Sequence, residues 1–267
     1  MDDAIETAVE RVIHEMRENL GEQITMDDMA RTAMFSKFHF SRMFQRVTGI
    51  SPGRFLSALR VQEAKHLLLT TSTAVADISH QVGYNSIGTF SSRFHASVGV
   101  SPSEYRLCDA VVAPLTEPEP DDAHAGVVRG HIWSTPGCRP GKVVIGLFPG
   151  RIAQDIPVRH VIRAGIGPFE IGDVPAGNWH VLAHSVEDGT DTPADEPDTV
   201  GPYVATFGPV DVPATSAGGR DFDMWLRPER IFDPPALLAH LDHWMMAAPA
   251  TRPWAADRAE AATLQHA

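Results

Sequence analysis

Basic and hydrogen-bonding side chains recur at helical spacing between positions 37 and 46, where they could contact nucleic acid. Apolar residues in the same segment fall at i, i+3, i+4 and i+7, which predicts one buried stripe of a helix. The stripe consists of Phe40, Met43, Phe44 and Val47. The opposite face consists of Lys37, Phe38, Ser41, Arg42, Gln45 and Arg46. Because an arginine fork can bind O6 and N7 of guanine and basic side chains pair with phosphates, this face is a candidate DNA surface.

The chain contains a second copy of this unit. The segments FSRMFQRVTGISPGRF (40–55) and FSSRFHASVGVSPSEY (90–105) share aromatic, glycine and Ser-Pro positions at an offset of 50 residues. In the second copy the predicted buried stripe is Phe90, Phe94 and Val98. The side chains predicted to face outward are Ile87, Gly88, Thr89, Ser92 and Arg93. The repeat indicates an internal duplication of one small helical unit.

Each copy follows the helix-turn-helix plan of a short helix, a tight turn and a longer helix. Ser36 and Ser86 are predicted N-caps of the longer helices, and Gly49 and Gly99 are predicted to end them. A long helix after Ser51-Pro52 joins the two copies. Successive major-groove faces on one side of B-DNA lie about 34 Å apart. A single chain with two such units could therefore contact both.

Charge is distributed unevenly along the chain. The net charge is −12, yet residues 36–107 hold eight Lys and Arg against three Asp and Glu, a local net charge of +5. Residues 1–35 carry −6 and residues 108–267 carry −11. The local sign decides whether phosphates are attracted. The basic block coincides with the repeat, so the acidic total does not exclude DNA as a partner.

Residues from about Ala4 to Arg106 resemble the DNA-binding domain of the AraC/XylS family of bacterial transcription regulators. The matching segments are Met29-Ala30, FHFSRMF, GISPGRF, RVQEAKHLLLTT, DISHQVGYNSIGTFSSRF and GVSPSEYR. The resemblance implies an all-α domain with two helix-turn-helix units that binds double-stranded DNA in a sequence-specific manner.

The resemblance also implies which side chains contact DNA. The family's base-contacting positions fall on Phe38, Ser41 and Arg42 in the first unit, and on Ile87, Gly88, Thr89 and Ser92 in the second. Contacts to the DNA backbone are expected from Lys37, Gln45, Arg46 and Arg93. Family members often have a basic residue where this chain has Ser92, and a one-residue step to Arg93 turns the side chain by about 100°. We therefore expect the first unit to dominate specificity and the second to contribute backbone contacts and shape readout.

The composition changes after Leu107. The Pro-rich and acidic stretch Ala113–Gly126 is typical of a solvated linker. Beyond it the hydrophobic period falls toward two, and Gly and Pro punctuate the segments, which predicts a mainly antiparallel β-sandwich. The predicted strands are Val127–Ser134, Lys142–Leu147, Val158–Arg163, Pro168–Gly172, Asn178–Ser185, Val204–Val212 and Arg220–Leu226. A short helix, Pro235–Met246, is predicted to close this part.

One segment of this second part resembles known folds. PFEIGDVPAGNWHVLAHS (168–185) is similar to a hairpin of the carboxypeptidase-regulatory-like β-sandwich, which also occurs in transthyretin-like modules. A second resemblance is to the GyrI-like effector-binding domain, but no helix is evident after Ser185 and no central Glu lies in an apolar stretch, so it ranks second. In AraC/XylS regulators a companion domain usually senses a small molecule or mediates association. A small-molecule effector is therefore a candidate partner.

The second part offers few residues for catalysis. His180 and His184 share one face of a predicted strand without a nearby acid, which favours packing over metal binding. Neither Cys108 nor Cys138 has metal-site spacing or the surroundings of a nucleophile, and the acidic loop Asp188–Asp198 lacks EF-hand spacing. Three tryptophans either line a ligand pocket or fill a core: Trp133, Trp179 and Trp225. We expect no enzyme, no metal site and no cofactor.

These observations predict an all-α double helix-turn-helix domain at 1–108, a linker at 109–126, a β-sandwich effector or interaction domain at 127–248 and a loose tail at 249–267. The expected function is transcription regulation through specific DNA binding, modulated by a small molecule or a protein, with RNA polymerase as a further candidate partner. The alternative is an enzyme or carbohydrate-binding module tethered to DNA. No apolar run approaches the roughly 18 residues of a membrane helix, and the acidic, amphipathic N-terminus does not fit a secretory signal. We therefore expect a cytoplasmic protein without membrane contact.

Overall fold

The computed structural model describes residues 2–107, 126–135, 140–186, 202–213, 220–239 and 241. The helices are α1 (Asp2–Glu18), α2 (Met26–Thr32), α3 (Lys37–Thr48), α4 (Pro52–Thr70), α5 (Val75–Gln81), α6 (Ile87–Val98) and α7 (Pro102–Leu107). The strands are β1 (Gly126–Ser134), β2 (Lys142–Phe148), β3 (His160–Ala164), β4 (Gly167–Val174), β5 (Gly177–Val186), β6 (Tyr203–Val212) and β7 (Arg220–Pro228). The predicted linker, except Gly126, lies outside the described residues, as do Cys108, Cys138, the loop Asp188–Asp198 and the tail.

The two helix-turn-helix units contain the same aromatic core. The Phe44 ring lies 5.5 Å from Phe40 and 5.4 Å from Phe55, and the latter pair meets edge to face. In the second unit the corresponding distances are 5.6 Å and 5.5 Å. The residues of that second set are Phe90, Phe94 and Tyr105. Such ring pairs contribute about 0.5–1.5 kcal/mol beyond the burial of their area, so the shared sequence pattern produces shared packing.

Caps set the bounds of α3 and α6. The side-chain oxygens of Ser36 and Ser86 each accept a backbone N–H from the first turn of their helix, at 3.4 Å. Gly49 and Gly99 follow the two helices with φ of 80° and 91°. This left-handed conformation is accessible to glycine without the steric cost that a Cβ would add. The predicted starts and ends of both helices are confirmed.

All seven predicted strands are present, and they form one sheet in the order β3-β2-β5-β6-β7-β1-β4. Neighbouring strands are antiparallel except β1 and β7. The guanidinium of Arg163 on β3 donates to the carbonyl oxygens of Ile166 and Pro168, which links the outer strands β3 and β4. The sheet is therefore a nearly closed barrel, and the predicted two-sheet sandwich is not confirmed. Both architectures place every second side chain inside, so period-two alternation does not distinguish them.

The predicted closing helix, Pro235–Met246, is not helical over its first four residues. Two consecutive prolines, Pro234 and Pro235, restrict the backbone and supply no N–H donor there. Helical backbone occurs at Ala239 and Leu241, and the remainder lies outside the described residues. Leu238 and Leu241 cover the outer face of β2 and β5.

The barrel region packs directly on the helices. Ile152 from the β2–β3 loop and Leu237 from the C-terminal segment are buried within the helical core. Lys65 of α4 is only 5% exposed, and its Nζ donates a hydrogen bond to the carbonyl oxygen of Leu237 over 2.9 Å. Because a buried ammonium needs an acceptor, this bond ties α4 to the C-terminal segment.

The loop between β2 and β3, residues 149–159, contacts the C-terminal ends of both α3 and α6. The backbone N–H of Asp155 donates to the carbonyl oxygen of Ser97 in the last turn of α6, at 2.7 Å. At the end of α3, a Cβ added to Gly49 would lie 2.7 Å from Cδ of Arg151, so this arginine packs against the cap. We call residues 149–159 the bridging loop, because this one segment contacts both longer helices of the repeat.

Candidate nucleic-acid interface

The outward face of α3 carries the side chains predicted for the first unit. Phe38 is 88% exposed, although a large apolar side chain is normally covered. Ser41 is half-buried, and the remaining four are exposed: Lys37, Arg42, Gln45 and Arg46. On the opposite side Phe40 and Phe44 are fully buried. The face thus combines basic, hydrogen-bonding and apolar groups, as contacts to phosphates, base edges and thymine methyl groups require.

The outward face of α6 is poorer in functional groups. Ile87 is 47% exposed. The other predicted contact residues are also exposed: Gly88, Thr89, Ser92 and Arg93. Only the hydroxyls of Thr89 and Ser92 and the guanidinium of Arg93 can form side-chain hydrogen bonds here. The structure therefore brings these residues together on one surface, but with fewer groups that could read bases than α3 has.

The predicted base-contacting residues lie in the N-terminal halves of both helices, from Phe38 to Arg42 and from Ile87 to Ser92. The bridging loop contacts the C-terminal ends of both helices. Recognition helices contact base edges with their N-terminal residues, and the N-terminal end of a helix carries the positive end of its dipole. The barrel region thus holds the ends of α3 and α6 that are not needed for such contacts.

The basic residues of the site differ in whether they form ion pairs. Lys37 Nζ lies 2.7 Å from Oδ2 of Asp27, and both side chains are 56% exposed. Within the described part of the chain, neither Arg42 nor Arg93 takes part in an ion pair. Arg46 lines a cleft of about 230 Å³ between the helices and the C-terminal segment. A phosphate would therefore compete with a carboxylate at Lys37 but not at Arg42 or Arg93.

The arrangement supports binding by hydrogen bonds, charge and apolar contact. The described residues contain no group of three or more His, Cys, Asp or Glu side chains arranged to hold a metal ion. Among those residues there is also no helix of the length and apolar character needed to cross a membrane.

Sequence reasoning missed two features that position the site. It did not identify Asp27 as the partner of Lys37, although Asp27 stands in the first turn of α2, close in sequence to the turn before α3. It also assigned no role to the bridging loop. The segment FPGRIAQDIP contains two isoleucines, but only Ile152 is buried and Ile156 is 58% exposed, so the sequence did not show which one anchors the loop.

Comparisons with known proteins match the helical part. A family model described as "Helix-turn-helix domain" matches residues 29–107. The HTH-type transcriptional activator AarP of Providencia stuartii is 35% identical over 102 residues, which cover 38% of this chain and 76% of AarP. The lactose operon transcription activator of Staphylococcus xylosus is 33% identical over 104 residues, which cover 39% of this chain and 37% of that protein.

Two solved structures are similar to part of the chain. An AraC-type transcriptional regulator from Chromobacterium violaceum is 26% identical with a TM-score of 0.38, and the match covers 40% of this chain and 96% of that one. The DNA-binding domain of AdpA, solved in complex with a target DNA, is 30% identical with a TM-score of 0.37, and the match covers 38% and 90% of the two chains.

The helix-turn-helix model spans the repeat that presents the exposed faces of α3 and α6. This chain covers about three quarters of AarP, whereas it covers only 37% of the S. xylosus activator. Both relatives are named as transcription activators, and neither is named as an enzyme. The match spans both helix-turn-helix units. The chain therefore belongs to the AraC-type family of helix-turn-helix transcription regulators, which bind DNA.

Proposed function

We propose that α3 and α6 enter successive major grooves of one operator, with α3 as the main reader of sequence. The observation that carries this proposal is the exposure of the N-terminal halves of both helices, while their C-terminal ends lie against the bridging loop. The proposed base contacts are Phe38, Ser41 and Arg42 in α3, and Ile87, Gly88, Thr89 and Ser92 in α6. The proposed backbone contacts are Lys37, Gln45, Arg46 and Arg93.

Operator mapping tests the arrangement. Genome-wide mapping of bound sites, followed by footprinting of the full chain on the recovered sequence, should show two protected major-groove tracts about one helical turn apart. We expect sequence conservation among the recovered sites to be stronger in the α3 tract. A single protected tract, or equal conservation in both, would contradict the proposal.

We propose that Lys37 exchanges its ion pair with Asp27 for an ion pair with a DNA phosphate. Lys37→Ala should weaken binding to operator and unrelated duplexes alike, because a phosphate contact carries no sequence information. The slope of log affinity against log salt concentration should become shallower by about one. Fluorescence anisotropy with both duplexes across a salt series measures these changes.

The control for Lys37 is Asp27→Asn, which removes the competing carboxylate and leaves the lysine in place. It should strengthen binding to both duplexes slightly, since an exposed ion pair contributes only about 0–1 kcal/mol. Discrimination lost in Lys37→Ala, with the salt slope unchanged, would instead indicate a base contact.

We also propose that the C-terminal region modulates DNA binding through the bridging loop. This loop contacts the ends of both α3 and α6, and Lys65 of α4 donates to the C-terminal segment. A change in the barrel can therefore alter the relative placement of the two recognition helices. Coupling between two sites of a protein typically amounts to about 1–3 kcal/mol.

Two isoleucines of the bridging loop provide a matched test of this coupling. Ile152 is 3% exposed within the helical core, whereas Ile156 is 58% exposed. Ile152→Asp should undock the loop and weaken operator binding by at least about fivefold, which corresponds to about 1 kcal/mol. Ile156→Asp adds the same charge at an exposed position and should leave the affinity unchanged. Unchanged operator affinity in Ile152→Asp, with the loop shown to be undocked by limited proteolysis, would refute the coupling.

RNA polymerase is a proposed partner, because AarP and the S. xylosus protein are named activators. A pull-down of polymerase subunits with the operator-bound full chain tests this partner.

A further inference from the structure

A cleft of about 560 Å³ lies across β4, β1 and β7. Val128 and Ile132 of β1 belong to the barrel core, so the alternating residues Arg129 and His131 point to the outer face. The strand register places Arg129 between Asp221 of β7 and Glu170 of β4. The volume is typical of small-molecule sites, which occupy about 300–1,000 Å³.

A ladder of aromatic rings begins at His131 in the lining of this cleft and continues beyond the lining to two tryptophans. The imidazole of His131 stacks on Trp133 with 3.9 Å between ring centroids, and Trp133 lies 6.1 Å from Trp225 with nearly parallel planes. The indole N–H of Trp133 donates to Oδ1 of Asp223 at 3.1 Å, which holds the ring in place. Trp133 and Trp225 are 39% and 58% exposed. Of the three tryptophans considered above, only Trp179 packs against the barrel core.

The charge of the cleft is negative. Among the described residues, its lining contains three carboxylates and one guanidinium. Nε of Arg129 lies 2.7 Å from Oε2 of Glu170, so these two charges compensate each other. Asp221 lies near the same guanidinium and Asp223 is the third carboxylate, so these four side chains sum to two net negative charges beside exposed aromatic faces.

We infer that this cleft binds a planar aromatic cation, whose ring stacks on Trp133 or Trp225 and whose charge faces Asp221 and Asp223. A cation within about 6 Å of an indole face is attracted by the ring quadrupole, and the carboxylates add to that attraction. The same charges repel nucleotides, phosphorylated metabolites and DNA. A neutral sugar could stack on the indoles and donate hydroxyl hydrogen bonds to the aspartates, but it carries no charge for the carboxylates to attract, so the comparison of the cation with glucose separates the two ligand classes.

Calorimetric titration of the full chain without DNA tests the site. The probe is 1-methylquinolinium chloride, and its neutral counterpart is quinoline at pH about 8. Naphthalene-2-sulfonate and glucose are the anionic and sugar counterparts. We expect the cation to bind at least about tenfold more tightly than quinoline, and neither the sulfonate nor glucose to bind measurably.

Variants that keep the shape of the cleft localise the binding. Asp221→Asn with Asp223→Asn should weaken cation binding by at least about tenfold. Asp211→Asn removes one carboxylate charge from an exposed position on β6 and should leave binding unchanged. Trp225→Leu should also weaken binding, and circular dichroism of each variant checks the fold. Equal binding of cation and quinoline, preferred binding of glucose, absence of cation binding at millimolar concentration, or an unchanged affinity in the double Asn variant would overturn the inference.

An effect of the cation on operator binding rests on the proposed modulation of DNA binding by the C-terminal region. Binding of the cation to the cleft does not, so the cation site and the modulation can fail separately. Operator affinity is measured with and without 1-methylquinolinium. If calorimetry detects the cation and operator affinity stays the same, the ligand site stands and the cleft is not the site through which the barrel acts on DNA. If Ile152→Asp weakens operator binding while no cation binds, the modulation stands and this ligand site is wrong.

Discussion

Arg42→Ala is expected to weaken binding to the mapped operator by about 1–3 kcal/mol, or about 5- to 150-fold. Arg42 is exposed on the N-terminal half of α3 and takes part in no ion pair within the described residues. Its guanidinium is therefore available to donate two parallel hydrogen bonds to O6 and N7 of a guanine. Loss of that fork should relax the preference for one base pair in the α3 tract. Competition binding against operators substituted at each position measures both effects.

The contrasting variant is Arg93→Ala in α6, which also removes one exposed guanidinium that has no ion-pair partner in the part of the chain that the structure describes. We expect it to weaken operator and scrambled duplexes equally, since Arg93 is proposed to contact a phosphate. Arg42→Ala should weaken the operator more than the scrambled duplex. Equal losses on both duplexes for Arg42→Ala would show that Arg42 contacts only the DNA backbone.

Acidification is expected to destabilise the barrel through His184. Burial lowers the pKa of this imidazole from 6.5 to about 4, although Asp233 opposes the shift. Because the folded-state pKa lies below the unfolded value, the unfolded chain binds more protons between these two values. The contribution of the neutral His184 imidazole to the free energy of unfolding is therefore complete above pH about 6.5 and is lost as the pH falls toward about 4. The shift predicts a loss of about 2 kcal/mol between pH 7 and pH 5.

Urea unfolding, monitored by tryptophan fluorescence, measures this loss in the free energy of unfolding of the C-terminal part. All five tryptophans lie beyond residue 108, so the signal reports on the C-terminal part alone. His184→Gln should flatten the pH dependence, and His14→Gln, at a side chain that is 58% exposed on α1, should not. Burial also lowers the pKa of His180, so a smaller acid sensitivity should remain in His184→Gln. An identical pH dependence in wild type and His184→Gln would refute the assignment.

Sequence reasoning predicted the local structure of this protein well. The caps at Ser36 and Ser86 and the glycines after α3 and α6 act within a few residues, so they could be recognised without knowledge of distant contacts. The strands were also predicted closely, as Asn178–Ser185 corresponds to β5 at Gly177–Val186. The exposure of Phe38 followed from the buried stripe on the other side of its helix.

Prediction failed where distant segments meet. The alternation within the strands indicated which side chains share a face but not which strands pair, so a sandwich was expected where the structure has a nearly closed sheet. The acceptor of Lys65 lies 172 residues away in the chain. His184 owes its lowered pKa chiefly to burial by neighbours from other elements. None of these partners can be recognised from the spacing of residues.

By itself the sequence determined two duplicated helical units, the bounds of their helices, the basic outward face of α3 and the weaker face of α6. These properties depend on capping and on a period of 3.6 residues, which are local interactions. Only the tertiary structure decided that the bridging loop joins the ends of α3 and α6, that Asp27 pairs with Lys37, and that Trp133 and Trp225 face solvent beside two aspartates. Those relations depend on which distant surfaces are brought together when apolar area is buried, and that choice involves the whole chain at once.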